Sequence, residues 1–75
     1  MVVWLVEDTE YNKEIVDSAE KAYNIIKGWI EEEYDAPEDE AERNEMLQEL
    51  NENYKLYPRG FWVDDYAWAD VYKVG

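Results

Sequence analysis

The sequence predicts an α+β fold in which a small antiparallel β-sheet carries two helices on one face, with the elements in the order β-β-α-α-β. Three observations support this prediction. Runs of β-branched and aromatic residues lie near both ends of the chain, apolar residues recur at three- and four-residue steps through its middle, and turn residues separate these segments. We expect residues 1–75 to form a single domain, because the sequence has no internal repeat and no linker composition.

Two strands are predicted before the first helix. Val2 to Val6 (VVWLV) is rich in β-branched and aromatic residues, which is typical of a buried strand. The polar segment from Glu7 to Asn12 predicts a turn. Lys13 to Val16 (KEIV) then returns as the second strand of a hairpin.

Two amphipathic helices are predicted next. Asp17 occupies the N-cap position of the first helix, with Glu20 as its capping-box partner, and the helix ends before Pro37. Asp35 occupies the N-cap position of the second helix, with Glu38 as its partner. The apolar face of the first helix comprises Ala19, Ala22, Tyr23, Ile26, Trp29 and Ile30. The corresponding face of the second comprises Arg43, Met46, Leu47, Leu50 and Tyr54.

The C-terminal segment from Phe61 to Val74 predicts strand, after a turn at residues 57–60. It forms either one long strand or two strands that bend at Asp64-Asp65. In a continuous strand Asp64 and Asp70 would share a face with four aromatic residues, and a β-bulge would remove this conflict. These aromatic residues are Trp62, Tyr66, Trp68 and Tyr72.

The sequence resembles a type of small phage protein with the same ββααβ order. The resemblance rests on the helix start Ser18-Ala19-Glu20-Lys21-Ala22 and on the aromatic strand from Tyr66 to Val74. It covers most of the chain and implies a fold more than a function.

The composition limits the classes of function. Twenty Asp and Glu against seven Lys and Arg give a net charge of −13, which repels nucleic acid and anionic lipid and attracts basic proteins. The absence of His and Cys removes the usual nucleophile pairs and zinc ligands. Asp64 and Asp65 are the candidates for acid–base catalysis, but neighbouring strand residues point to opposite faces. We therefore expect no enzymatic activity, no cofactor and no dedicated metal site.

The sequence also bears on location. No apolar run approaches the roughly 20 residues of a membrane helix, so no membrane association is expected. The N-terminus lacks the basic region of a signal peptide. These features predict a cytoplasmic protein, located in the host cytoplasm if a phage encodes it.

Most of the negative charge lies between Glu31 and Glu52, where eleven acids accompany a single base, Arg43. Within this region five glutamates step by four, three, four and three residues, which places them along one side of a helix. We call these five residues the acidic stripe: Glu38, Glu42, Glu45, Glu49 and Glu52. Asp39 belongs to the same run. Like charges at these spacings oppose helix formation, so folding alone does not explain them.

The acidic stripe has two interpretations. It is either a solvated face that maintains solubility or a mimic of nucleic-acid phosphates. Seven acids between residues 38 and 53 correspond to one charge per about 3.4 Å of helix, the spacing along one strand of DNA. A mimic would bind a basic nucleic-acid-binding protein and would not bind nucleic acid itself. Together with the phage resemblance, this surface is similar to that of anti-CRISPR and anti-restriction inhibitors.

Three tyrosines flank the acidic stripe in the sequence, namely Tyr34, Tyr54 and Tyr57. They are either anchors of a protein interface or covers for the edge of the small core. Exposed aromatic residues would also favour a homodimer, since a domain of this size gains stability by burying more surface. The alternative function is a small phage or bacterial accessory protein that binds a protein partner through aromatic residues, with the acids serving solubility.

Overall fold

Four β-strands and two α-helices form the α+β architecture that the sequence predicts. A computed structural model describes residues 1–74 of the chain. The elements are β1 (Val2–Asp8), β2 (Lys13–Val16), α1 (Ala19–Glu33), a 3₁₀ turn (Pro37–Asp39), α2 (Glu40–Leu56), β3 (Gly60–Val63) and β4 (Ala67–Lys73). The predicted β-β-α-α-β order is confirmed, with the last strand divided in two.

The strands form one antiparallel sheet in the order β2-β1-β4-β3. The N-terminal strand β1 lies beside the C-terminal strand β4, so Trp4 is opposite Val16 on one side and Val71 on the other. β1 is therefore a central strand, because both of its edges are paired with neighbouring strands.

The turn between β1 and β2 is organised by a buried carboxylate. β1 continues to Asp8, two residues beyond its predicted end. Asp8 Oδ1 accepts hydrogen bonds from the backbone N–H groups of Glu10 and Asn12, both at 2.9 Å, and Asp8 Oδ2 accepts one from Asn12 Nδ2 at 2.8 Å. Three donors compensate for the removal of this carboxylate from water.

The aromatic segment at the C-terminus forms a β-hairpin with its bend at Asp64-Asp65. Trp62 on β3 lies directly opposite Trp68 on β4. Asp64 has a φ of 47°, in the left-handed region that Asp adopts more readily than most residues. The turn removes Asp64 from the strand, so the predicted bulge is wrong. Tyr66 also leaves the predicted shared face, and its ring packs against the core.

Both predicted capping residues are wrong. The N-cap of α1 is Ser18, whose Oγ accepts a hydrogen bond from the backbone N–H of Lys21 at 3.1 Å. Asp17, one residue earlier, instead forms an ion pair with the Lys21 side chain at 2.8 Å. Asp35 caps no helix, because a 3₁₀ turn begins at Pro37 and α2 begins only at Glu40. Proline fixes φ and starts this tighter turn without a side-chain cap.

Both helices cover the same face of the sheet. The core is formed by the predicted apolar faces of the helices together with inward residues of three strands, and its members are Val6, Ala22, Ile26, Ile30, Met46, Leu50, Phe61, Val63, Ala67 and Ala69. No helix within residues 1–74 has the length and apolar character needed to cross a membrane.

The other face of the sheet is not covered by any element within residues 1–74. Its residues alternate along the strands with those that point into the core. We call this surface the open sheet face, and its apolar residues are Val3, Leu5, Ile15, Trp62, Trp68 and Tyr72.

Candidate functional site

The acidic stripe is divided between two elements. Glu42, Glu45, Glu49 and Glu52 lie on α2, whereas Glu38 and Asp39 lie on the preceding 3₁₀ turn. A 3₁₀ turn rotates about 120° per residue and an α-helix about 100°, so Glu38 is rotated by about 40° from the position it would have in a continuous α-helix. The prediction of one continuous helical stripe from Glu38 is therefore wrong, and the regular part begins at Glu42.

The side of α2 that faces α1 is well defined by its contacts. Arg43 Nη1 donates a hydrogen bond to the backbone oxygen of Tyr34 at 2.9 Å. The ring of Tyr54 stacks on that of Tyr23 in α1, with centroids 4.7 Å apart. Because α2 advances about 100° per residue, its stripe glutamates lie on the opposite side of the helix. This side is also beyond the edge of the sheet, since α2 packs over the edge strand β3.

The stripe carboxylates are largely exposed and have no basic partner. Glu38, Glu42, Glu45 and Glu52 are exposed, and Glu49 and Asp39 are half-buried. Among residues 1–74 the one salt bridge joins Asp17 to Lys21, away from the stripe. Glu52 is the stripe residue that takes part in a side-chain hydrogen bond within residues 1–74. Its Oε1 accepts a weak hydrogen bond of 3.3 Å from Gln48 Nε2. Most of the negative charge of the stripe therefore faces solvent without a basic partner among residues 1–74.

The four stripe acids of α2 have a lower linear density of charge than the seven acids between residues 38 and 53. The four stripe acids of α2 follow one another at intervals of about 5 Å, from a rise of about 1.5 Å per residue. One strand of DNA carries a charge about every 3.4 Å. The helical row thus has roughly two-thirds of that linear density, and matching it requires the additional acids Glu38, Asp39 and Glu40 at the N-terminal end.

The two tyrosines assigned to partner binding have different surroundings. Tyr54 is half-buried between Tyr23 and Phe61, so it covers the edge of the core and is not free to anchor a partner. Tyr57 follows the end of α2, is 50% exposed, and stacks on Trp62 with ring centroids 5.5 Å apart. Tyr57 therefore extends the open sheet face and does not line the acidic stripe.

Tyr34 lies at the acidic end of the helix pair. It is half-buried, and its ring is tilted against that of Tyr66 at a centroid distance of 6.4 Å. Burial raises its pKa, and the nearby carboxylates of Glu42 and Glu33 raise the pKa further. Its backbone oxygen, which receives the Arg43 hydrogen bond, connects this residue to α2.

The sequence pattern predicted only part of the open sheet face. The alternation of Trp68 and Tyr72 along one strand was visible, but Ile15 and Leu5 enter the same face only through strand pairing. Trp62 is 43% exposed and Ile15 is 68% exposed, so two large apolar side chains of this face are open to solvent.

A polar cleft of about 160 Å³ lies between the β1–β2 turn and the C-terminal end of α1. Its lining includes Asp8, Glu33 and Tyr66. Burial raises the pKa of Tyr66 to about 12, with further contributions from Glu33 and Asp8. Within residues 1–74 no group of three or more acidic side chains is arranged to hold a metal ion.

The two carboxylates considered for catalysis are not in a strand. Asp64 and Asp65 both lie in the β3–β4 turn, and both are exposed. They are therefore not placed in the apolar strand that the sequence predicted for them.

Comparison with known proteins adds no family to this description. No protein-family model, no curated protein and no solved structure matches this chain. The resemblance to small phage proteins therefore stays a prediction, and a function has to be argued from the surfaces of the chain itself.

Proposed function

We propose that this chain is an acidic binding protein that occupies the nucleic-acid-binding surface of a basic protein partner. The observation that carries the proposal is the acidic stripe, which lies on the side of α2 opposite α1 and has no basic partner within residues 1–74. A rigid helix with uncompensated carboxylates is suited to a surface lined by Lys and Arg.

The placement of charge on α2 supports a role other than folding. Like charges three and four residues apart destabilise a helix by roughly 0.2–0.5 kcal/mol per pair. Glu52 also lies about one turn before the C-terminal end of α2, where negative charge opposes the helix dipole. Only Lys55 supplies a positive charge in the last turn. The helix carries these unfavourable terms on its exposed side, where lysines would favour folding.

The proposed partner is a protein that handles DNA or RNA through a basic channel, such as a CRISPR or restriction nuclease. Carboxylates in such a channel displace the anions that normally accompany it, so the complex weakens with added salt as nucleic-acid complexes do. With a net charge of −13, the chain itself is expected to repel nucleic acid. The proposed activity is therefore inhibition by competition.

A second candidate function is favoured by the open sheet face. In that account the chain is a phage or bacterial accessory protein that binds a protein partner through exposed aromatic residues, and the acidic stripe maintains solubility. The exposed stack of Tyr57 on Trp62 supports it. Alanine at Tyr57 would then weaken partner binding more than removal of the stripe charges.

The test is a capture experiment with competition by nucleic acid. The immobilised chain is incubated with lysate, and the captured protein is eluted and tested for binding to a fluorescently labelled DNA duplex or RNA. The proposal predicts that the eluted protein binds the labelled nucleic acid and that the purified chain displaces it, more weakly as NaCl increases. A captured protein that binds the chain and the nucleic acid simultaneously would contradict competition.

A further inference from the structure

The open sheet face carries two groups of apolar side chains, and Glu7 and Asp70 lie between them in the register of the strands. Trp62 lies opposite Trp68, and the ring of Tyr57 stacks on Trp62 from outside the sheet. Near the opposite edge of the sheet, on the same face, Ile15 lies opposite Leu5. A small monomeric protein rarely exposes a patch of this kind without a use for it.

The charge on this face differs from that of the rest of the chain. Its charged residues are Glu7, Lys13 and Asp70, and Glu7 lies opposite Lys13 in the register of β1 and β2. Two acids and one lysine give this face a net charge of −1, whereas the whole chain carries −13. Two copies of the chain therefore repel one another least when these faces meet.

The arrangement of the layers also suits a second copy. Both helices lie on the opposite side of the sheet, so contact between two open sheet faces keeps the two acidic stripes on the outside of the pair. A contact that uses the same surface twice closes on itself as a symmetric dimer. We propose that the open sheet face binds the same face of a second copy of this chain.

The area of the open sheet face limits the affinity that we expect for this dimer. Strands of seven, four, four and seven residues give a flat footprint of about 350 Å² per copy, from about 3.3 Å per residue and about 4.8 Å between strands. Upright side chains and Tyr57 increase the accessible area beyond this footprint. The total is near the lower limit of about 1,000 Å² for specific interfaces, so we expect dissociation in the micromolar range.

Asp70 is the one charge on this face without an opposite charge across the register. It lies opposite Leu5 on β1 and Gly60 on β3, in the middle of the patch. Burial of this carboxylate in each copy opposes dimerisation, because an unpaired charge loses its hydration. Asp70→Asn is therefore expected to tighten the dimer several-fold.

The experiment is sedimentation equilibrium of the full chain from about 5 µM to about 500 µM, a range that brackets the expected dissociation constant. The mean mass is expected to increase from 9.0 kDa towards twice that value. Because the face is nearly neutral, about 1 M NaCl is expected to preserve or strengthen the dimer. A mass of 9.0 kDa at every concentration would overturn the proposal, and so would a dimer that dissociates at high salt.

Variants locate the contact. The double variant Trp62→Gln with Ile15→Gln is expected to raise the dissociation constant at least tenfold, and its circular dichroism checks the fold. Leu56→Gln is the matched control, because Leu56 is as exposed as Ile15, at 68%, but lies on α2. If the double variant does not fold, Tyr72→Gln tests the same face. Unchanged association in the folded variants, or in Asp70→Asn, would overturn the proposal.

Discussion

Arg43, the single basic residue between Glu31 and Glu52, donates its guanidinium hydrogen bond to the backbone oxygen of Tyr34 at 2.9 Å and to no carboxylate. Tyr34 is the C-cap residue that follows the end of α1 at Glu33, so Arg43 satisfies a backbone group at a helix terminus. The one positive charge in the acidic region thus joins the two helices. The stripe on the opposite side of α2 is left without compensation.

The first prediction concerns this hydrogen bond. Arg43→Met keeps the length of the side chain but removes the donor, so the free energy of unfolding is expected to fall by about 1.5–3 kcal/mol, the range for hydrogen bonds to charged groups. Urea denaturation measures the change. Arg59→Met is the control, because Arg59 is exposed and accepts a hydrogen bond from the backbone N–H of Val71 through its backbone oxygen. Equal losses of unfolding free energy in the two variants would mean that the loss comes from removing a positive charge and not from removing the hydrogen bond to Tyr34.

The second prediction concerns the cost of the acidic stripe. In the stripe variant Glu38, Glu42, Glu45, Glu49 and Glu52 are all changed to Gln. Three like-charge pairs on α2 at roughly 0.2–0.5 kcal/mol each predict a gain of about 0.6–1.5 kcal/mol in unfolding free energy at low salt. The gain is expected to shrink in about 1 M NaCl, where the screening length is about 3 Å.

A control variant separates this effect from the overall reduction in charge. It changes five exposed glutamates elsewhere in the chain to Gln, namely Glu10, Glu14, Glu20, Glu31 and Glu32. Its gain in stability at low salt is expected to be smaller than that of the stripe variant. A stripe variant less stable than the wild type would show that the carboxylates make favourable contacts.

The third prediction distinguishes the two neighbouring candidates for the cap of α1. Ser18→Ala removes the acceptor of the Lys21 N–H and is expected to lower the unfolding free energy by about 1 kcal/mol. Asp17→Asn removes only an exposed ion pair and is expected to have a much smaller effect. Chemical denaturation of both variants is the measurement. A larger loss for Asp17→Asn would reverse the assignment of the cap.

The fourth prediction concerns the pH dependence of stability through Asp8. Burial alone would raise the pKa of Asp8, but the hydrogen bonds from Asn12 and from the backbone of Glu10 lower it below its ordinary value. A lowered pKa in the folded state means that this carboxylate stabilises the fold above its unfolded pKa, about 3.9. This stabilisation is lost as the pH falls through the folded pKa.

Asp8→Asn tests this dependence, because an amide nitrogen replaces one of the two carboxylate oxygens. The oxygen that is lost is either the acceptor of Asn12 Nδ2 or the acceptor of the two backbone N–H groups. We expect a loss of about 1–3 kcal/mol near neutral pH, measured by urea denaturation. The difference from the wild type should shrink below about pH 4, where Asp8 becomes protonated first in the unfolded chain and then, at lower pH, in the folded wild type. The exposed Asp65→Asn is the control, and a difference for Asp8→Asn that does not vary with pH would contradict the account.

Much of the fold could be predicted because its signals are local. The β-branched run at Val2 to Val6 and the three- and four-residue spacing of Ala22, Ile26 and Ile30 specify the strand and the helical face directly. The caps could not be predicted, because Asp17 and Ser18 are both good N-cap residues and only the backbone geometry selects between them.

The candidate surfaces could likewise be predicted only in part. The stripe on α2 was visible as a helical spacing, but the 3₁₀ turn at Pro37 shifts the phase of Glu38 in a way that spacing does not reveal. The open sheet face requires the turn at Asp64, since the hairpin determines that Trp62 meets Trp68. The packing of Tyr54 between Tyr23 and Phe61 was not predictable, because its helical position fits both an edge of the core and an exposed anchor.

The most direct test of the central claim compares the wild type, the stripe variant and the control variant in the capture experiment at about 0.15 M NaCl, where the screening length is about 8 Å. If the acidic stripe binds a basic nucleic-acid-binding protein, the stripe variant captures it at least about tenfold more weakly, a loss of about 1.4 kcal/mol, while the control variant retains most of the binding. Capture by the stripe variant at the level of the wild type would contradict the claim.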